Sequence, residues 1–320
     1  MDIRHEAVCK KVSEIVIERT PPGMKPVDYL MSLLDIGLDS AYRRLKGHIP
    51  YSIGELVKLS FQFKFSIDEI TGKSHQGSFF LETPGHVLSH PRELYVSMFT
   101  YFVDLLEKFH KSKSTLFYVL NKLLIAQVVG QHTLCKFFYF KWVHQMDVSP
   151  VKFSTIDYPE EMAALSRKIT HYLSDNTDFE YIVDSKMIEN TMDDVLYYYR
   201  RNLITKEDLD LIKRDVSMFI DHFEKRAQTG LSHVGSKVNI YVSDLDIREN
   251  SVYISDGEKA RSHFWINSSV PICSRELRIT SLHMKMINSL KRHCVLITKS
   301  NEMFQAEYFD KQRSIVRNAL

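Results

Sequence analysis

Arg43, Arg44 and Lys46 stand close together in the short segment Ser40–Lys46. Cations at that density on one helix suit contact with phosphates. An arginine there can also pair in a bidentate way with the edge of a guanine. Other candidate chemistry is thinner. His86 and His90 are four residues apart, a spacing that on a helix could hold a metal ion. Pro84, Gly85 and Pro91 flank them, however, and no acidic third ligand stands nearby. No glycine-rich nucleotide loop, zinc-protease histidine pair or nucleophile elbow is present. No enzyme activity, cofactor or metal is therefore expected.

The elements around the cations must present them. Pro26 and Asp28 suit the first turn of a helix whose apolar face is Tyr29, Leu30, Leu33 and Leu34. Asp35-Ile36-Gly37-Leu38 breaks it with a short turn. Asp39 or Ser40 can cap a second helix, Ser40–Lys46, in which Ala41 and Leu45 face inward and Gly47 is the stop. Tyr42, Arg43, Arg44 and Lys46 are left for the outer side. Ser52 caps a further helix that buries Leu56, Leu59, Phe63 and, as a weaker candidate, Val57. Ser66 begins a last short turn with Ile67 and Ile70. Two short helices joined by a tight turn and braced by others make a helix-turn-helix bundle, in which the second helix lies in the major groove.

The segment Leu30–Ile70 resembles the phage-repressor and Cro type of helix-turn-helix, the xenobiotic-response-element family of bacterial regulators. Its marks are Leu30 and Leu34, Ile36, Ser40 to Gly47, Ser52 to Leu59, and the closing phrase Phe65-Ser66-Ile67-Asp68-Glu69-Ile70. The resemblance implies a lambda-repressor-like bundle. It places Leu38, Asp39, Ser40, Tyr42, Arg43 and Lys46 on the face turned toward double-stranded DNA. Two positions depart from the pattern. Arg44 stands where the family has an apolar residue, so that either Leu45 takes the buried role or Arg44 snorkels. Gly37 stands where a serine is usual.

The chain has 320 residues, 44% of them hydrophobic and 26% charged, which allows large cores. Net charge is only +2 overall, and residues 1–74 hold 11 Lys and Arg against 10 Asp and Glu. Phosphate neutralisation must then come from a local patch, presented twice by a homodimer on half-sites roughly 34 Å apart. Cys9, Cys135, Cys273 and Cys294 form no close pair and read as reduced core residues of a cytoplasmic protein. No signal peptide is evident, and Leu116–Val129 is too short and too interrupted to span a membrane.

Beyond residue 74 the expected order is a linker over 75–90, a helical domain over 91–235 and an α+β domain over 236–320. The expected fold class is thus mainly α with a C-terminal α+β part holding a small mixed sheet. Leu94, Met98, Tyr101, Leu105 and Phe109 mark one helix face. Tyr158–Leu173 and Met187–Tyr199 read as helices. Thr205 starts another that carries Leu209, Ile212, Val216, Phe219 and Phe223 and stops at Gly230. That stripe suits burial within its own domain or a two-heptad dimer seam. Leu123–Val129 is open between strand and helix. Strands are expected at Lys237–Ser243, Ser251–Ser255 and Ser262–Ile266, the last two joined at Asp256-Gly257, then a helix at Arg275–Leu290, a strand at Cys294–Thr298 and a helix at Glu302–Val316. The aromatic run Phe137-Phe138-Tyr139-Phe140 with Trp142 suits a core, a ligand pocket or a partner surface.

The expected function is a sequence-specific transcriptional regulator. Residues beyond 74 are too many for a dimerisation tail alone and would sense an unknown ligand or protein partner. The alternative is a protein-interaction module that reuses the scaffold without binding DNA.

Overall fold

The computed structural model describes residues 5–63, 65–67, 70, 81–83, 90–146, 151–173, 176–266 and 270–319. The chain divides into two compact units, Met1–Phe80 and Leu81–Leu320. In the first, helices α1 (His5–Arg19), α2 (Pro26–Leu34), α3 (Leu38–Leu45) and α4 (Ile53–Phe63) surround one core. Val12 and Val16 of α1, Leu30 of α2, Ala41 of α3 and Leu59 of α4 are wholly inaccessible. Phe65 and Ile70 of the closing phrase are also buried, whereas Asp68 and Glu69 lie outside the described residues. Val57 faces outward, not into this core.

The second unit continues with α5 (Pro91–His110), β1 (Ser114–Leu120), α6 (His132–Met146), α7 (Glu161–Tyr172), β2 (Thr177–Asp184), α8 (Met187–Arg200) and α9 (Lys206–Thr229). It ends with β3 (Val238–Ser243), β4 (Ser251–Ser255), β5 (Ala260–Ile266), β6 (Val270–Ser274), α10 (Leu277–Lys291), β7 (Val295–Leu296) and α11 (Glu302–Asn318). The strands form one mixed sheet in the order β6-β5-β4-β1-β2-β3-β7. β1, β2 and β3 run parallel; β4, β5, β6 and β7 pair antiparallel with their neighbours.

A mainly helical chain with a C-terminal α+β part is what the sequence implies, but the expected boundary at 235/236 is not a boundary between compact units. β1 and β2 arise within the stretch expected to be a mostly helical domain, and they occupy the middle of the sheet. Their C-terminal halves, Tyr118–Leu120 and Tyr181–Val183, are buried on both faces, as parallel strands covered on two sides are, so periodicity alone does not mark them. Leu116, Tyr118 and Leu120 point into the large core with α5 to α9 and α11, while Val119 and Ile182 point to the other face, toward Ile287 of α10. The expected linker over 75–90 is described only in part. Residues 71–80 and 84–89, His86 among them, lie outside the described residues, but Glu82 exchanges both backbone hydrogen bonds with Cys273 of β6. His90 caps α5, its ring Nδ1 accepting from the Arg92 amide.

Local signals hold where they are self-contained. Thr205 caps α9 through a reciprocal box with Asp208, and Gly230 ends the helix in the left-handed conformation. The Leu209–Phe223 stripe is buried within this unit. Leu123–Val129 is neither a strand nor an α-helix; it contains one 3-10 turn, Ile125–Gln127. Cys9, Cys135 and Cys273 are buried, Cys294 is half-buried, and none of the four forms a disulfide. Among the described residues, no helix is long and apolar enough to cross a membrane, and no group of three His, Cys, Asp or Glu side chains could hold a metal.

The α9 cap gives a direct measure of local stability. Thr205→Ala is expected to lower the unfolding free energy by about 1 kcal/mol in urea titration, whereas Thr205→Ser is expected to change it little.

Candidate nucleic-acid interface

The backbone between α2 and α3 is tightly specified. Asp35 adopts the left-handed conformation (φ 56°, ψ 53°), and the Ile36 amide reaches back to the Met31 carbonyl at 3.3 Å. Aspartate tolerates that conformation better than most side chains. Gly37 is extended at the N-cap of α3, which begins at Leu38 with no side-chain cap. The expected cap at Asp39 or Ser40 is thus not formed: both residues are already inside the helix. Asp39 lies in its first turn, near the positive end of the helix dipole. At the other end, the His48 amide bonds to the Arg43 carbonyl at 2.8 Å and the Gly47 amide to the Arg44 carbonyl at 2.9 Å. This paired pattern needs a left-handed residue at Gly47, which has φ 76°.

α3 therefore has a fixed start and a fixed stop, and its two sides separate sharply. Ala41 is wholly buried, and Leu45 is half-buried against the same core. Leu38 and Tyr42 are 58% and 54% exposed, large apolar surface left in solvent. Asp39, Arg43 and Lys46 are exposed beside them, and Ser40 is half-buried. Arg43 lies 4.0 Å from Asp39, one turn back. The Lys46 ammonium lies 5.7 Å from the centre of the Tyr42 ring. Pairs this exposed hold their geometry weakly, so both cations are free to be redirected toward another anion.

Arg44 must be removed from this face. Its guanidinium turns inward and grips Glu55 of α4, Nη2 to Oε1 at 2.9 Å and Nε to Oε2 at 3.2 Å. The two side chains are only 14% and 15% exposed. Nη1 also donates to the Ser40 hydroxyl at 2.7 Å, which accounts for the half-buried state of Ser40. The position that is apolar in the resembling family thus holds an ion pair, and snorkelling is not the solution adopted. Glu55 does double duty: its Oε2 accepts from the Ser52 amide at 2.8 Å, and the Ser52 hydroxyl accepts from the Glu55 amide at 3.2 Å. Ser52 therefore caps α4 in a reciprocal box. A third contact comes from α1, where the buried Ser13 hydroxyl donates to the Arg44 carbonyl at 3.1 Å and lies 3.2 Å from the Tyr51 hydroxyl.

No sequence pattern pointed to Ser13, Tyr51 or Glu55 as supports of α3. Ser13 and Arg44 are 31 residues apart and Arg44 and Glu55 are 11 apart. The one legible sign was Ser52 with Glu three residues later, a capping-box signature that says nothing about arginine.

Burial pushes the Glu55 carboxyl up, but the Ser52 amide and Arg44 more than offset it, and the group sits below its ordinary value of 4.5. A depressed carboxylate stabilises the fold above its unfolded value, and that contribution is lost as pH falls through the folded value. The first unit is thus expected to lose stability on acidification below about 4.5. Glu55→Gln should flatten that part of the pH profile. Arg44→Ala at neutral pH is expected to cost about 1–3 kcal/mol by leaving Glu55 without its partner. Urea unfolding of the full chain followed by circular dichroism at neutral and acid pH checks both.

A family model described as the BetR domain matches residues 4–95, fewer than a third of the chain but including all of α1 to α4. No curated protein matches the chain, and no solved structure does.

Proposed function

We propose that the first unit is a lambda-repressor-like helix-turn-helix domain that binds double-stranded DNA sequence-specifically, with α3 in the major groove. The chain is then a non-enzymatic, cytoplasmic transcriptional regulator acting as a homodimer, and the second unit senses a ligand or partner. One observation carries this reading. A helix locked at both ends and pinned on its inner side offers Leu38, Asp39, Tyr42, Arg43 and Lys46 to solvent together.

Each group has a role to play there. Arg43 is the candidate for a bidentate pair with guanine, and Lys46, near the helix end, for a phosphate. Leu38 and Tyr42 supply apolar contact, with thymine methyl groups as natural neighbours. Asp39 tempers the patch: while paired with Arg43 it reduces non-specific attraction, and a carboxylate can accept from a cytosine amino group. Arg44 takes no part in contact. It acts as a positioning residue by holding α3 on α4.

A specific observation favours a second reading, a protein-interaction module without DNA binding. Ile53, Val57 and Phe61 lie four residues apart on α4 and are 80%, 41% and 80% exposed. That stripe is apolar, and the near-zero charge of residues 1–74 lends DNA binding no general support.

Selection of genomic fragments by the full-length protein separates the two. The DNA reading expects one enriched motif with two-fold symmetry. Arg43→Ala is expected to weaken binding to it about 5- to 150-fold and relax the preference at one base pair. Lys46→Ala should weaken all sequences alike and reduce the salt dependence by about one phosphate contact. No enriched motif, together with unchanged retention of DNA by both variants, overturns the DNA reading.

A further inference from the structure

The second unit holds a cavity of about 110 Å³ between the sheet and helices α5 and α6. Tyr118 of β1, Val252 of β4 and Trp265 of β5 supply part of the wall on the sheet side, and Phe99, Phe138 and Trp142 part of the wall opposite. An engineered apolar cavity of about 150 Å³ is known to take up benzene, so this one matches a single ring or a short branched chain. Apolar walls alone would make it a packing defect. One polar feature does not fit that description.

That feature is a charge imbalance. Lys122, in the turn after β1, and Lys141 of α6 both line the cavity. Both ammonium groups pair with one carboxylate, Asp194 of α8, Lys122 at 2.8 Å and Lys141 at closer range. Among the described residues, two cations thus share one anion, and one positive charge remains over. The Lys141 side chain is only 9% exposed. Lys141 is the closer partner of Asp194, so the surplus falls on Lys122, whose side chain is 26% exposed, and an anion in the cavity would meet it.

We propose that this cavity binds a small organic carboxylate whose apolar body is about the size of one ring, with the carboxylate held by Lys122 and Lys141. Sensing by the second unit would then mean detection of such an acid. The proposal gives a ligand class to the sensing role but is tested without DNA, so its failure and failure of the DNA reading are separate results.

The test is calorimetric titration of the full-length chain at pH 7 with benzoate and isovalerate and with their neutral isosteres, benzamide and isovaleramide. At least one acid is expected to saturate, with its amide more than about tenfold weaker, the margin that charge-assisted hydrogen bonds provide. Lys141→Met leaves Lys122 paired one-to-one with Asp194 and removes the surplus charge. It is expected to keep the fold by circular dichroism and to bring the acid down to the affinity of the amide. Absence of saturable binding of both acids overturns the proposal, as does equal binding of acid and amide, or unchanged acid binding in folded Lys141→Met. Should that variant fail to fold, the comparison of acid with amide on the unaltered chain decides.

Discussion

The parallel pairing of β1 with β2 is the constraint on which the second unit depends. Seven consecutive residues are in register, from Ser114 opposite Thr177 to Leu120 opposite Val183. Parallel neighbours cannot be joined by a hairpin, so the chain between them must leave the sheet, cross a face and return. That crossing is α6 and α7; the next, from β2 to β3, is α8 and α9. The large core is the interior these crossings enclose, and Tyr118 stacked on Tyr181 at 5.1 Å marks its contact with the sheet. On the other side β1 pairs antiparallel with β4, so β1 is the strand at which the sheet changes sense.

That change of sense shapes the turn after β1. The chain cannot run on along the sheet and is instead caught by side chains from two directions. Asn250 accepts from the Asn121 amide at 2.8 Å, and Thr191 of α8 accepts from the Leu123 amide at 3.0 Å. These bonds fix Lys122 between them and aim it at Asp194, one turn further along the same helix. The cavity, with its surplus charge, thus lies where the strand order reverses, the place where open α/β sheets leave a crevice at the carboxyl ends of their strands.

In the first unit, polar contacts take over work that apolar packing does elsewhere. α3 is only eight residues long and buries one side chain completely, too little for a helix to hold its position by burial alone. The Arg44–Glu55 pair, the Ser13 contact to the Arg44 carbonyl and the backbone bonds at Asp35 and Gly47 supply the rest. A grip of this kind restrains direction as well as distance, because a bidentate guanidinium–carboxylate pair tolerates little rotation. Sequestering Arg44 leaves α3 with fewer free cations than its composition suggests and fixes which remain outside.

The sequence by itself determined what depends on near neighbours. Helix faces written at spacings of three and four, the caps at Ser52 and Thr205, the stops at Gly47 and Gly230 and the Asp256-Gly257 hairpin were all legible, because each is settled within a few residues. Tertiary structure decided what depends on partners far along the chain. β1 and β2 are central strands because each pairs with the other, 63 residues away in register, and their C-terminal halves, buried on both faces, show no alternation. Arg44 reads as a cation for an outer face until Glu55 arrives to neutralise it. The aromatic run at Phe137–Trp142 is mostly core, but Phe138 and Trp142 also wall a cavity whose charged side comes from Lys122 and Lys141. Periodicity records which side of an element is apolar; it does not record what lies opposite, and that opposite group set the role of each of these residues.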